Sequence, residues 1–102
     1  MGHRSALDPD EAAFQEVVRK LVPGFLRQRR QDLTALRTAL QNEALADVRE
    51  IGHRLAGSGS SYGFDAMSQL GRDLEASADT ADRETISRLI DALESALAEA
   101  SR

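Results

Sequence analysis

The sequence predicts an all-α fold, an antiparallel up-down-up-down four-helix bundle with an additional or kinked N-terminal helix segment. Three observations carry this. Ala, Leu, Arg, Glu, Asp and Gln dominate, aromatic residues make up only 4 % and β-branched residues are scarce, so local preference runs toward helix nearly throughout. Apolar residues recur at three- and four-residue spacing in several separate stretches, and no stretch offers itself as a strand. The connections between those stretches are short, and stripes that cannot be buried alone are best covered by antiparallel neighbours.

Met1 to Leu7 show no periodic pattern and are expected to be a disordered tail or an expression remnant, with residues 8–102 forming one domain. His3 is therefore set aside. Asp8-Pro9-Asp10-Glu11 reads as a helix start, with Asp8 as N-cap, Pro9 at the first helical position and Glu11 placed for a capping box. Phe14, Val17, Val18 and Leu21 mark one apolar face. Pro23-Gly24 predicts a kink or break, after which Leu26, Leu33, Leu36 and Leu40 resume the pattern to about Gln41. Beyond Asn42-Glu43, the stripe Leu45, Val48, Ile51 and Leu55 predicts a second long helix. Gly63 is placed to end it in the left-handed conformation and Asp65 to cap the next, whose stripe is Met67, Leu70, Leu74 and Ala78. A fourth helix is expected from Asp79 or Thr80, buried through Ile86, Leu89, Ile90, Leu93, Leu97 and Ala100.

Composition narrows the function classes. A chain of 102 residues with 41 % apolar and 29 % charged residues is expected to fold as a single soluble domain. It has no cysteine, hence no disulfide framework or thiolate metal site, and the expected compartment is the cytoplasm. No apolar run approaches the roughly 20 residues that span a bilayer. A net charge of −4 argues against nucleic acid and anionic lipid as partners, and the cluster Arg27, Arg29 and Arg30 is expected to be a solvated helix face. Glu50-Ile51-Gly52-His53 matches a bundle metal motif once, without the second copy such a site requires, so no metal is expected.

His53 is the residue the pattern does not explain. Successive helical residues lie about 100° apart, so His53 stands roughly 140° to 160° from Val48, Ile51 and Leu55 and points away from the core. Its face carries Arg49, Ala56, Gly57 and Ser60, three of them small. Glycine inside a helix costs about 1 kcal/mol relative to alanine, so Gly57 and Gly59 call for a compensating reason, such as close approach by another chain. By composition alone, residues 57–63 read equally well as a flexible linker, with the helix ending at Ala56 and His53 an ordinary surface residue.

The ordered string His53-Arg54-Leu55-Ala56-Gly57-Ser58-Gly59-Ser60-Ser61-Tyr62-Gly63-Phe64 resembles the phosphorylation-site segment of histidine phosphotransfer (HPt) domains. Leu55, Gly57, Ser58, Tyr62 and Gly63 stand at the positions that family fills with an apolar residue, glycine, a small residue and an apolar-glycine pair. Leu70, Leu74 and Glu75 match its third helix, and helix count and lengths agree over about residues 10 to 100. The resemblance implies that the Gly/Ser-rich segment continues the helix and that its glycines make room for a response-regulator receiver domain. It implies His53 as phosphoacceptor, Glu75 as the group that orients its imidazole, and Arg49, Arg54, Ala56, Gly57 and Ser60 as the docking face.

A neutral imidazole is a competent nucleophile near neutral pH, and attack through Nε2 requires the proton on Nδ1, where an acceptor would fix tautomer and ring orientation. The chain has no evident phosphate-binding loop or acidic metal pocket, so it is expected to hold no cofactor of its own. The resemblance implies that the receiver brings the aspartate, Mg²⁺ and a lysine, that a sensor or hybrid histidine kinase stands upstream, and that the protein is a monomeric carrier without autonomous kinase activity. One position departs from the family pattern: many members carry a lysine three residues after the histidine, where this chain has Ala56. Arg49, Arg54 or Arg72 could supply the missing charge, with surface solvation preferred for Arg72. The alternative is a degenerate module that docks a receiver without carrying phosphate.

Overall fold

The computed structural model describes residues 8–102, folded as α1 (Pro9–Gln41), α2 (Leu45–Ser58), one 3₁₀ turn (Ser60–Tyr62), α3 (Asp65–Asp79) and α4 (Arg83–Ala100). The tail expected over residues 1–7 lies outside the described residues. Among the described residues there is no strand, and no helix is long and apolar enough to cross a membrane.

α1 opens as predicted, with Pro9 at its start and the Glu11 N–H donating to Asp8 Oδ1 over 2.8 Å. It then runs through Pro23 as one helix, so the expected break is absent. Proline removes only one ladder hydrogen bond, and Pro23 stands on the exposed side, where the carbonyl of Arg19 left without its N–H can turn to water. The N-terminal segment thus extends the first helix. At 33 residues α1 is about 50 Å long by its rise per residue, and it sets the long dimension of a molecule measuring 56 × 23 × 20 Å.

α2 ends with Ser58, and the chain tightens into the 3₁₀ turn before Gly63 closes it in the left-handed conformation at φ 83°. The Gly/Ser-rich segment is therefore helical and not a linker. Asp65 is the first residue of α3 instead of its cap; Phe64 holds that position without a side-chain bond, and Asp65 contributes a negative charge in the first turn. The fourth helix starts later than expected. Asp79 completes α3, Ala81 turns the chain at φ 55°, and Asp82 caps α4.

The Asp82 cap has a pH signature. Thr85 donates its hydroxyl to Asp82 Oδ2 over 2.7 Å and its N–H to Oδ1 over 3.1 Å, and these bonds hold the carboxyl below the usual aspartate range. A depressed folded pKa stabilises fully above the unfolded value near about 3.9, and the contribution is lost as pH falls through the folded value. Asp82→Ala is therefore expected to lower the urea midpoint at pH 7, with the gap from wild type closing as acid unfolding is followed below about pH 4.

Contacts that cross between helices fix their directions. Arg37 on α1 reaches Glu94 and Asp91 on α4 at 2.7 and 3.3 Å, while Arg30, earlier on α1, bonds Ser101 just past the end of α4. Arg29 and Asp32 of α1 meet Ser58 and Arg54 of α2 in reversed order, and Arg49 and His53 of α2 meet Asp79 and Glu75 of α3 in reversed order. Each neighbour is antiparallel. The core takes Phe25, Leu26, Leu36 and Ala39 from α1, Val48, Ile51 and Leu55 from α2, Met67, Leu74 and Ala78 from α3, and Ile86, Ile90, Leu93 and Leu97 from α4. Apart from Phe25 and Ala39, which the α1 stripe did not include, these are predicted positions, with Leu33, Leu40, Leu45, Leu70, Leu89 and Ala100 half-buried around them. The face predicted as Phe14, Val17, Val18 and Leu21 is the exception: Phe14, Val17 and Leu21 are exposed and Val18 is half-buried.

Candidate functional site

The site sits on the seam between α2 and α3, where the backbones approach more closely than side chains of ordinary size allow. A Cβ placed on Gly71 would lie 2.4 Å from the Ala56 nitrogen and 2.6 Å from the Gly52 carbonyl oxygen. One placed on Gly52 would lie 2.8 Å from the Gly71 oxygen and 3.0 Å from the Glu75 nitrogen. The pair of glycines therefore brings the helices together directly beneath His53, which follows Gly52, and Glu75, one turn after Gly71.

The same seam explains how the helix ends. Ser68, fully buried, donates to the Ala56 carbonyl over 2.6 Å and accepts from the Ser60 N–H over 3.2 Å, so both groups that a continued α-helix would have paired with each other find a partner across the seam. Gly59 is buried here, and a Cβ on it would come within 2.7 Å of the Ser68 nitrogen. Its reason is internal packing, which corrects the expectation that Gly59 serves the approach of another chain. Gly57, by contrast, is exposed, with nothing within 4 Å of where a Cβ would stand. Ala56 is half-buried against α3 and only partly on the open face, because it packs over Gly71.

His53 has 75 % of its side chain exposed, and its Nδ1 lies 3.3 Å from Oε2 of Glu75, whose side chain is 24 % exposed. With the proton on Nδ1, the imidazole donates to that carboxylate and Nε2 faces outward with its lone pair. Arg49 points at the same carboxylate, Nη2 to Oε2 at 3.7 Å, and is held by Asp79 at 2.8 Å. Arg54 turns the other way, 3.6 Å from Asp32. Arg72 bonds Gln69 along its own helix, away from His53. Ser60 stands at the start of the 3₁₀ turn, exposed.

Beneath the face lies a polar contact that charge patterning hid. Arg29, expected on a solvated face with Arg27 and Arg30, is buried at 8 % exposure, beside Asp32 at 5 %. Its guanidinium donates to Ser58 Oγ over 2.7 Å and covers the Phe25 ring at 5.0 Å from the centroid. Nε and Asp32 Oδ2 are 2.8 Å apart but poorly aligned for a hydrogen bond, so that contact is Coulombic. Phe25 in turn stacks on Tyr62 at 4.6 Å and on Phe64 at 5.4 Å, fixing the 3₁₀ turn against α1. Removing one member of a buried pair leaves the other charge uncompensated, so Asp32→Ala is expected to cost about 3 kcal/mol in urea unfolding, with Arg29→Met/Asp32→Leu recovering most of it.

The chain matches the family model described as Hpt domain over residues 20–102. It belongs to the HPt family. Membership gives the four-helix fold its name and points to a phosphocarrier role in a phosphorelay, where HPt domains interact with receiver domains and kinases. No curated protein and no solved structure matches the chain. Within this HPt domain the residues that sequence reasoning missed are Gly52, Gly71, Ser68, Arg29, Asp32 and Ser58. The small residues Gly52 and Ala56 one turn apart, with Ser68 and Gly71 likewise, were the available signal for a close helix seam.

Proposed function

We propose that this HPt domain accepts a phosphoryl group on His53 from the aspartyl phosphate of a receiver domain and returns it to a receiver aspartate. The observation that carries this reading is the exposed His53 imidazole held through Nδ1 by Glu75 at 3.3 Å beside the open surface at Gly57. In the transfer, the Nε2 lone pair forms the N–P bond as the P–O bond to the receiver's carboxylate breaks, and the aspartate leaves as carboxylate. The Nδ1 proton stays on the ring, where Glu75 offsets the positive charge that develops on it. Mg²⁺ on the receiver supplies charge neutralisation for the transferring group. Gly57 and Ser60 admit the receiver without steric obstruction, with Ala56, Arg49 and Arg54 at the margin.

Incubation with a phosphorylated receiver and Mg²⁺ tests this directly: an acid-labile, alkali-stable adduct is expected on the peptide that carries His53. Binding of several receivers without any adduct would favour the degenerate docking module. That second reading has one observation behind it, since Arg49 and Arg54, the cations nearest His53 in sequence, are both engaged by carboxylates and Ala56 offers no charge. Glu75→Ala is expected to slow single-turnover uptake about tenfold, equivalent to ~1.4 kcal/mol, near the low end for a hydrogen bond to a charged group. Glu75→Gln, whose amide oxygen still accepts from Nδ1, is expected to retain more of the rate.

A further inference from the structure

Two donors compete for one oxygen beside His53. The imidazole Nδ1 lies 3.3 Å from Oε2 of Glu75, and Arg49 Nη2 lies 3.7 Å from the same atom. An arginine and a carboxylate are charged on both sides and can share two parallel hydrogen bonds, so Glu75 left alone with both donors would pair with Arg49 and not with a neutral imidazole. The structure has the reverse order, with the imidazole inside hydrogen-bond reach and the guanidinium outside it. The cause is Asp79, whose Oδ1 accepts from Arg49 Nε over 2.8 Å.

The four side chains alternate across the seam. Arg49 and His53 are one turn apart on α2, Glu75 and Asp79 one turn apart on α3, and the antiparallel helices interleave them in the order Asp79, Arg49, Glu75, His53. Two carboxylates and one guanidinium leave this row with one net negative charge. Because Arg49 is taken by Asp79, that charge stands on Glu75, next to the ring. We propose that Asp79 is a positioning residue, which holds Arg49 by its Nε and so reserves the Glu75 carboxylate for His53.

The fold has little use for this ion pair. Asp79 is the last residue of α3, where a negative charge opposes the helix dipole. Both side chains of the pair are 54 % exposed, and an ion pair in that setting adds little stability. Removal of Asp79 therefore leaves the bundle standing, while Arg49 turns to Glu75 and the two charges cancel. The imidazole then loses its acceptor, and with it the counter-charge that the ring needs as Nε2 takes the phosphoryl group. The proton's place on the ring is independent of phosphotransfer; only the consequence for rate rests on that reading.

Nitrogen NMR of the histidine rings at about pH 8.5, above the ordinary histidine pKa of about 6.5, reads which nitrogen carries the proton. His53→Gln keeps only the ring of His3 and so identifies the His53 signals. Wild type is expected in the Nδ1–H form. Asp79→Ala is expected to move the ratio toward the Nε2–H form by about tenfold, at an unchanged urea midpoint, and to slow single-turnover uptake severalfold. Arg49→Met and Arg49→Met/Asp79→Ala are both expected to keep the Nδ1–H form, and to take up phosphoryl at the same rate as each other. Asp79→Ala with the wild-type ratio, or an equal shift on removing Asp79 when Arg49 is already gone, overturns the proposal. The expected ratios without phosphoryl uptake by any variant, wild type included, would uphold the role of Asp79 and overturn the phosphocarrier reading instead.

Discussion

His53→Gln is expected to take up no phosphoryl group from a phosphorylated receiver while unfolding at the same urea concentration as wild type. The two halves of that result have separate causes. The amide nitrogen of glutamine has its lone pair delocalised into the carbonyl, so nothing at this position can form the N–P bond. The fold is indifferent because the side chain is 75 % exposed and its one polar contact is with Glu75, so a stability change within about 0.5 kcal/mol is expected. Retention of an acid-labile label by His53→Gln would place the phosphate elsewhere and sink the reading. A large stability loss would mean that the imidazole holds the bundle together, which its exposure contradicts.

Gly71→Ala is expected to be the most damaging single-methyl change in the molecule. Helix propensity alone favours alanine by about 1 kcal/mol. Against that, the new Cβ would lie 2.4 Å from the Ala56 nitrogen and 2.6 Å from the Gly52 oxygen, both backbone atoms that no rotamer change can move. The helices must separate, and overpacking of this kind costs about 1–3 kcal/mol, more when backbone has to shift. A net loss of about 2 kcal/mol in urea unfolding is expected, together with slower phosphoryl uptake as Glu75 moves away from His53. Gly57→Ala is the opposite case. With open space around it, the same methyl group is expected to stabilise by up to about 1 kcal/mol, and whatever it costs in phosphotransfer reports on the receiver's approach.

The comparison between those two glycines also marks how far the sequence is legible. The α4 stripe and the outward direction of His53 follow from helical period, because a buried face repeats every three or four residues and His53 falls out of step with it. The nearness of Glu75 does not follow from period. It depends on the distance between two helices, which is set by Gly52 and Gly71 and is visible in sequence only through the family resemblance. Gly57 and Gly59 look alike as letters, yet one faces solvent and the other Ser68, because two helical steps of about 100° turn them to opposite sides of the helix end. Arg29 reads in sequence like its solvated neighbours Arg27 and Arg30; the partner that receives its buried guanidinium, Ser58, is 29 residues away. Pro23 does not end α1, because on this exposed side the Arg19 carbonyl that loses its N–H partner can turn to water.

The order of packing around the bundle bears on how the chain reaches this fold. α2 packs on α1, α3 on α2 and α4 on α3, each across a connection of a few residues, and the one seam between elements far apart in the chain joins α1 to α4. Loop-closure entropy is therefore small for three of the four seams and substantial for one. Rapid folding follows from such local topology, with the site's own seam, α2 on α3, among those that form without waiting for the chain ends to meet. Arg37 with Glu94 and Arg30 with Ser101 belong to the late seam, so changes there should speed unfolding more than they slow folding.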